Sequence, residues 1–342
     1  MPAPAPDLPP LLGESRPFLE LLEHVSRAAP LDRPVLVVGE RGTGKELVAA
    51  RLHYLSRRWD RAFVKVNAAA LPESLLESEL FGHEAGAFTG AARRRAGRFE
   101  RADGGTLFLD EIASLSPAAQ EKVLRVVEYG EFERVGGGGM ERVDVRLIAA
   151  TNLDLPAEAA AGRFRADLLD RLAFEVLTLP PLRAREGDAA LLAQHFGRQM
   201  AGELGWDRFP GFTGGALATL AAYPWPGNVR ELRNVVERAV YRWPEPSRPV
   251  GEVAFDPFES PWRPRAKEEE GGGRRAGPDA AAGLDLEAAV AAFERDLLAR
   301  ALAGHRHNQR AAARALGLTY DQLRGRLRKH GLLPQAAAGD AA

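Results

Sequence analysis

A glycine-rich segment that ends in a lysine lies near the start of the chain and has the residue types that bind phosphate. It comprises Gly39, Glu40, Arg41, Gly42, Thr43, Gly44 and Lys45. The apolar run Val35–Val38 before it predicts a buried strand, and residues 45–56 after it have a helical pattern. Glycines let backbone N–H groups surround phosphate oxygens, and a helix N-terminus and a lysine add positive charge. An ordinary glycine-rich turn is the alternative, which the strand and the lysine disfavour.

Two acids, Asp110 and Glu111, follow a second apolar run at residues 106–109. Ligands of open α/β sheets bind at the carboxyl ends of the strands, where these acids would lie. Asp110 could hold Mg2+, directly or through water, and Glu111 could polarise the water that attacks a γ-phosphate. Alternatively, the two acids only begin a helix, where the helix dipole favours them. Combined with the glycine-rich segment, they predict a nucleoside triphosphatase.

Glu46 follows the lysine of the glycine-rich segment, where the general pattern has Ser or Thr to hold magnesium. Magnesium binding must then rely more on phosphates, water and Asp110. Two asparagines follow other predicted strands and are further candidates. Asn152 could orient the attacking water, and Asn67 could hydrogen-bond Glu111, although an asparagine at such a position, taken alone, is more often an ordinary loop residue than a catalytic one.

Three arginines are candidates for contacts with phosphate. Arg165 and Arg171 lie near the end of the α/β pattern, where two arginines could simply form a solvated helix face. In a ring of nucleoside triphosphatases, such arginines reach a neighbour's γ-phosphate and stabilise transition-state charge. Arg230 falls in the first turn of a predicted helix, where a cation is poorly placed for the helix dipole. This placement favours a ligand role for Arg230.

The elements that must position these residues alternate between strands and helices up to about residue 180. Short apolar runs at residues 35–38, 63–66, 106–109 and 145–149 predict strands. This alternation predicts an α/β domain with a parallel sheet and helices on both faces. The predicted organisation is a disordered terminus at 1–10, an ATPase domain at 11–243 with a helical lid at 181–243, a flexible linker at 244–283, a small all-α module at 284–334, and a tail at 335–342.

Composition restricts the classes of function. The chain has 342 residues, no cysteine and a net charge of −1. The lack of cysteine excludes disulfides, thiolate zinc sites, iron–sulfur clusters and cysteine nucleophiles. The apolar runs are too short to span a bilayer and residues 1–10 do not have the pattern of a signal peptide, so we expect a cytoplasmic protein. Residues 301–334 contain seven basic residues and one acid, which predicts a module with an anionic partner.

One hexapeptide indicates a family. The sequence GAFTGA is formed by Gly86, Ala87, Phe88, Thr89, Gly90 and Ala91. It is the signature of bacterial enhancer-binding proteins, AAA+ ATPases that activate sigma-54 RNA polymerase, and the chain resembles them over nearly its whole length. The resemblance extends to Glu46 and to residues 164–172. It implies ATP and Mg2+ as ligands, a homo-hexameric ring, and remodelling of the closed promoter complex into an open one.

The resemblance also implies a role for the hexapeptide as a loop that contacts sigma-54 and moves with nucleotide state. Without it, a hairpin with Phe88 tucked into the core would be favoured. Residues 134–140 contain four consecutive glycines, which predict a second surface loop beside the first.

The C-terminal module resembles the Fis-type helix-turn-helix of the same family. Residues 308–316 are predicted as its first helix and residues 319–329 as its recognition helix. A helix at residues 284–303 would supply a dimer contact, so that two half-sites are read. A basic helix packed on the ATPase domain is the alternative. The side chains predicted to meet DNA phosphates or guanine edges are Arg324, Arg326, Arg328 and Lys329.

The ATPase pattern begins at Leu11, which leaves no room for a sensor domain before it. In this respect the chain is similar to enhancer-binding proteins that activate the phage-shock operon and are controlled by a separate inhibitor protein. Residues 54–59 strengthen that likeness and suggest Trp59 as the inhibitor's anchor, or else as a half-buried tryptophan at a helix end. Another AAA+ remodelling ATPase and a DNA-binding regulator with a vestigial ATPase are the competing interpretations.

Overall fold

The structure is a computed structural model that describes residues 10–88, 91–258, 262–263, 286–305 and 308–332. Contacts divide the chain after Glu259 into two units, which we describe separately. The strands of the described residues are β1 (Val35–Val38), β2 (Phe63–Asn67), β3 (Thr106–Asp110), β4 (Glu131–Glu133), β5 (Met140–Arg142), β6 (Arg146–Thr151) and β7 (Val176–Thr178).

Five of these strands form a parallel sheet in the order β2–β3–β6–β1–β7, and β4 and β5 form a separate hairpin. Val38 at the end of β1 lies opposite Thr151 of β6. Asp110 at the end of β3 lies opposite Asn67 at the end of β2. The carboxyl ends of the strands therefore meet at one edge, which confirms the predicted α/β fold with a parallel sheet.

The helix at residues 16–28 was not predicted from the sequence. The structure has helices close to each helical pattern of the sequence, at residues 45–56, 72–80, 117–129, 188–204, 214–222, 229–240, 284–303, 308–316 and 319–329. None of the helices in the described part of the chain is both long and apolar enough to span a bilayer. The helices of the described residues are α1 (Arg16–Ala28), α2 (Lys45–Tyr54), α3 (Glu73–Phe81), α4 (Arg98–Arg101), α5 (Pro117–Tyr129), α6 (Leu155–Ala160), α7 (Ala166–Leu172), α8 (Asp188–Glu203), α9 (Gly214–Ala222), α10 (Asn228–Arg242), α11 (Leu286–Gly304), α12 (Gln309–Ala315) and α13 (Tyr320–Lys329).

Helices cover both faces of the sheet because successive strand residues point to opposite sides. Leu107 and Leu109 of β3 belong to the apolar cluster that includes residues of α3, α5 and α7. Phe108 between them belongs to the cluster formed with α1 and α2. This alternation fixes the register of β3 and so the position of the acids at its end.

The lid consists of α8, α9 and α10 around an apolar core of its own, which includes the fully buried Trp225. The structure corrects the start of the flexible linker, which was predicted at Pro244. Val250 is fully buried and its N–H donates to the carbonyl of Gly211 at 2.9 Å. Phe255 also packs against the lid core. Val253 packs there too, so spaced apolar residues anchor this segment despite its polar composition. Residues 259–261 and 264–283 of the predicted linker lie outside the described residues.

The second unit is a three-helix module with a small core. Asn308 caps α12 by accepting from Ala311 N at 3.2 Å, and Thr319 and Gln322 form a capping box at the start of α13. Gly317 in the turn between them has φ +65°, a conformation that suits glycine. The geometry confirms the predicted helix-turn-helix. The buried core residues are Leu298, Leu302, Ala312, Ala313, Leu323 and Leu327.

Candidate nucleotide site and effector surfaces

The glycine-rich segment is a loop between β1 and α2. Gly42 has φ +78°, and Gly44, just before α2, has φ +98°. Lys45 is 8% exposed, and its Nζ donates to the carbonyls of Gly39 at 2.9 Å and Glu40 at 3.3 Å. Burial lowers the pKa of the Lys45 ammonium. The loop thus holds a buried cation beside a helix N-terminus, which is the arrangement that binds phosphate.

The two acids lie at the end of β3, close enough to Lys45 to interact with its charge. Burial raises the pKa of Asp110, and the Glu111 N–H, which donates to Asp110 Oδ1 at 3.0 Å, opposes that shift. Glu111 has φ +53°, a left-handed conformation that costs on the order of 1 kcal/mol in a non-glycine residue. Such strain concentrates at functional sites.

The donor set around Asp110 is compatible with Mg2+. Mg2+ is usually bound by one or two carboxylates together with water and substrate phosphates. In the described part of the chain no group of three or more His, Cys, Asp or Glu side chains could hold a metal ion by itself. The carboxylate of Glu46 is bound instead by Lys65 Nζ at 2.9 Å. Asp110 therefore fits a metal that arrives with the nucleotide.

Both candidate asparagines lie at the carboxyl edge of the sheet. Asn67 Oδ1 accepts from Ala69 N at 2.9 Å. No hydrogen bond joins Asn67 to Glu111 among the described residues, so the predicted contact between them stays a prediction for the nucleotide-bound protein. Asn152 directly follows Thr151, whose carbonyl accepts from the first N–H of the phosphate loop at 3.1 Å. Asn152 is therefore beside the phosphate loop.

The lid touches the phosphate loop through the start of α10. The Arg230 N–H donates to the Gly42 carbonyl at 3.3 Å, and a Cβ at Gly42 would lie 2.3 Å from the Gly227 carbonyl oxygen. Arg230 lies close enough to Lys45 and Asp110 for its charge to act on both side chains. This position is compatible with the predicted ligand role of Arg230.

Two lid-side residues that sequence reasoning missed bind Glu40. The Arg183 guanidinium donates to both carboxylate oxygens, at 2.8 and 2.5 Å, and Asn228 Nδ2 donates to Oε2 at 3.0 Å. These hydrogen bonds hold the pKa of Glu40 at about 2. The backbone of Glu40 belongs to the phosphate loop, whereas its carboxylate faces the lid. The Pro-Gly-Asn turn before α10 was the one available signal in the sequence.

Arg165 and Arg171 lie at the start and end of α7 and pair with acids of the same surface. Arg165 binds Asp167 through two hydrogen bonds of 3.0 and 2.7 Å, and Arg171 binds Glu128 at 2.7 Å. Their side chains are 40% and 57% exposed. Within the described structure neither forms a hydrogen bond to the phosphate loop.

The described part of the GAFTGA segment turns back on itself and leaves its aromatic ring largely outside the core. Gly86 N–H donates to the Ala91 carbonyl at 2.8 Å. Phe88 is 42% exposed, and its ring meets that of His83 edge-on at 5.0 Å between centroids. The alternative with Phe88 in the core is therefore wrong. The residues of the segment outside the described structure are Thr89 and Gly90.

The glycine-rich loop at residues 134–140 lies beside this segment, as predicted. A Cβ at Gly136 would lie 2.6 Å from the Ala87 Cβ. Arg134, which is 6% exposed, binds Glu84 at 3.0 Å and Glu100 at 2.7 Å. Arg134 also pairs with Glu141, so a buried arginine among three acids joins the bases of the two loops.

Trp59 lies in a turn after α2 and is 50% exposed. The preceding residue, Arg58, holds this turn in place, because its guanidinium binds Asp32 at 2.6 Å, Asp144 at 2.7 Å and the Gly105 carbonyl at 3.0 Å. The exposed indole of Trp59 therefore belongs to a turn that the contacts of Arg58 hold in place.

The four basic residues of α13 are not equivalent. Arg326 forms an ion pair with Glu294 of α11, and Lys329 lies 4.0 Å from the same carboxylate. Arg324 and Arg328 are exposed and lie one helical turn apart. The latter two are better placed to meet DNA.

The parallel sheet, phosphate loop, paired acids and helical lid define a P-loop ATPase of the AAA+ class. Residues 11–178 match the sigma-54 interaction domain, residues 183–247 the AAA+ ATPase lid domain, and residues 289–330 the Fis family of bacterial regulatory proteins. The chain is 56% identical to the Psp operon transcriptional activator of Escherichia coli (strain K12), covering 94% of this chain and 97% of that protein.

Longer relatives share the same parts. The anaerobic nitric oxide reductase transcription regulator NorR of Citrobacter koseri is 46% identical, and the match covers 90% of this chain and 60% of that protein. The crystal structure of NtrX from Brucella abortus in complex with ATP has a TM-score of 0.67 and 34% identity, covering 94% of this chain and 70% of that one. The complex with ADP gives the same values.

The chain belongs to the family of sigma-54-dependent transcriptional activators, and it is an ATPase with a DNA-binding helix-turn-helix module. This confirms the family predicted from the GAFTGA segment and excludes an unrelated AAA+ remodeller.

Proposed function

We propose that this protein activates the phage-shock operon by using ATP hydrolysis to convert the closed complex of sigma-54 RNA polymerase into an open complex. The observation that carries this proposal is the exposed Phe88 of the GAFTGA segment on the same domain as an intact nucleotide site. The identity of 56% with the Psp operon activator supports the choice of operon. Work on RNA polymerase would place the protein in the cytoplasm.

In the proposed reaction, water attacks the γ-phosphorus and the bridging oxygen leaves with ADP. Lys45 and the loop N–H groups bind the phosphates, and Glu111 accepts a proton from the attacking water. Asn152 positions that water, and Asn67 orients Glu111 once nucleotide is bound. Asp110 holds Mg2+, which when bound neutralises charge on the phosphates.

Assembly into a hexameric ring would supply positive charge at the γ-phosphate that a single subunit does not supply. Arg165 and Arg171 are exposed on α7 and would reach the γ-phosphate of a neighbouring subunit. Their present partners, Asp167 and Glu128, lie near the surface, and exposed ion pairs of this kind contribute little to stability, so they can be exchanged for a phosphate.

The output of the motor would pass through the two neighbouring loops. Residues 86–91, with Phe88 and Thr89 at their centre, would contact sigma-54. Because Arg134 joins the bases of both loops, a displacement of one would carry the other with it. A nucleotide-dependent movement of the sheet edge would then be transmitted through these two loops to sigma-54.

DNA binding would raise the local concentration of the ATPase near its promoter. In the C-terminal module, Arg324 and Arg328 would meet DNA, while Arg326 and Lys329 help to fix α13 on α11. Two modules would pair through α11, on which Val290 is 56% exposed.

Regulation would come from an inhibitor protein that docks on Trp59. An exposed tryptophan on a turn fixed by Arg58 loses little conformational entropy on binding, which suits an anchor residue. The likeness to the Psp operon activator supports this partner.

Open-complex formation on a sigma-54 promoter tests the proposal. The full chain should open the promoter with ATP and not with ADP, and Glu111→Gln should bind ATP without opening it. Phe88→Ala should keep ATPase activity but fail to open the promoter. Promoter opening by Phe88→Ala at the wild-type level would contradict the proposed output loop, and the same experiment at a phage-shock promoter tests the choice of operon.

A further inference from the structure

We propose that Arg183 and Asn228 are positioning residues that fix the lid to the phosphate loop through the Glu40 carboxylate, and that this contact sets the affinity for ATP. The inference rests on the ATPase activity and does not depend on the operon or the inhibitor. Its basis is a set of hydrogen bonds that join three separate parts of the domain.

The first part is the junction between the sheet and the lid. Arg183 lies in a short turn that follows β7 and two consecutive prolines, a position from which it can hold both parts. Its guanidinium donates two hydrogen bonds to the Glu40 carboxylate, a bidentate geometry that lysine cannot reproduce.

The second part is the first residue of α10. Asn228 is fully buried and has φ +52°, which is uncommon for a non-glycine residue. Its Nδ2 donates to Glu40 and to the Arg41 carbonyl at 3.1 Å, and its Oδ1 accepts from Leu182 N at 2.8 Å. One side chain therefore connects the phosphate loop, the junction and the lid helix.

Two effects on nucleotide binding follow from this geometry. Arg230 lies half a turn beyond Asn228 on α10, so the contact also holds Arg230 beside Lys45. In addition, Arg183 keeps the Glu40 carboxylate turned toward the lid. Without Arg183, that negative charge would be free to face the phosphates and repel them. Both effects concern binding, whereas the acids at the end of β3 stay in place.

The test compares Arg183→Ala with wild-type full-length protein in steady-state ATPase assays. We expect KM for ATP to rise about fivefold, the equivalent of about 1 kcal/mol, with kcat changed by less than about twofold. Arg183→Lys should recover only part of the affinity for ATP, because it keeps the positive charge without the bidentate contact with Glu40. Arg233→Ala is the control, since Arg233 is another lid arginine and pairs with Glu237 on the exposed surface of α10. It should leave KM unchanged.

A double-mutant cycle separates a positioning role from a general loss of stability. Arg230→Ala should raise KM less in the Arg183→Ala background than in wild type, because Arg230 is then already displaced. Fluorescent ADP binding and the thermal midpoint are measured in parallel. A wild-type KM for Arg183→Ala, or additive effects of the two substitutions, would overturn the inference. If Arg183→Ala does not fold, the double-mutant cycle with Arg230→Ala is repeated with Arg183→Lys or Glu40→Gln in its place.

Discussion

Replacement of His53 by phenylalanine should make the free energy of unfolding less sensitive to acid. His53 on α2 is fully buried, and its ring stacks on Phe63 with 4.7 Å between centroids. Its Nδ1 lies 2.9 Å from Thr106 Oγ1. Burial, followed by repulsion from the nearby Arg146, lowers the pKa of His53 from 6.5 to about 4.

The sign of the effect follows from the protons bound in each state. Between pH 6.5 and about 4 the unfolded chain binds a proton at His53 and the folded chain does not. The free energy of unfolding therefore falls as the pH falls through this window, and the contribution of neutral His53 is complete above pH 6.5. At 1.36 kcal/mol per pH unit, the part of this window above pH 4.5 corresponds to a loss on the order of 2 to 3 kcal/mol.

Urea unfolding of the full chain at pH 7 and pH 4.5, followed by circular dichroism, measures this difference. His53→Phe loses the hydrogen bond to Thr106 and is expected to be less stable at both pH values, so the readout is the change in stability with pH. His24→Phe is the control, because His24 is exposed on α1. If wild type and His53→Phe lose the same stability between the two pH values, the buried imidazole is not the acid-sensitive group.

Three further predictions address the proposed partners. Mixed rings of Arg165→Ala and Glu111→Gln subunits should regain some ATPase activity, because intact sites form at certain junctions; no gain in demonstrably mixed rings would argue against an arginine acting across subunits. Trp59→Ala should need over tenfold more inhibitor protein for half-maximal suppression of ATPase activity, as expected for about 2 kcal/mol from an anchor tryptophan, and an unchanged titration would make Trp59 a packing residue. Arg328→Ala should weaken DNA binding and lower its salt dependence, whereas Arg326→Ala should mainly lower the melting temperature of the module; the reverse result would exchange their roles.

The parts of the fold that depend on short apolar runs and glycine signals were predictable. β1 and α5 begin and end where the sequence indicates, since Val35–Val38 is wholly apolar and α5 has Pro117 in its first turn and Gly130 at its end. α1 was missed although Phe18, Leu21 and Val25 are spaced as on one buried helix face. The start of the linker was placed too early because the average composition of a segment does not reveal a single buried residue such as Val250.

The nucleotide site was predictable to the extent that its residues are adjacent in sequence or follow strands of one parallel sheet. Lys45, Asp110 and Glu111 come together because β1, β6 and β3 are neighbours with a common direction. The side chain of Glu40 illustrates the limit of this reasoning. Its membership in the glycine-rich segment suggested a nucleotide ligand, but its partner Arg183 is 143 residues away and reaches it because β7, which precedes Arg183, lies beside β1.

Sequence pattern specifies backbone elements, whereas the direction of a polar side chain depends on which charges tertiary packing places beside it. The recognition helix shows the same limit, because Arg324 and Arg326 are two residues apart and equally basic. α13 buries Leu323 and Leu327, and this choice of face turns Arg326 toward Glu294 of α11 while Arg324 stays in solvent. In both the ATPase domain and the DNA module, an acid on a distant element therefore pairs with one arginine and gives it a structural role. Glu40 does so for Arg183, and Glu294 does so for Arg326.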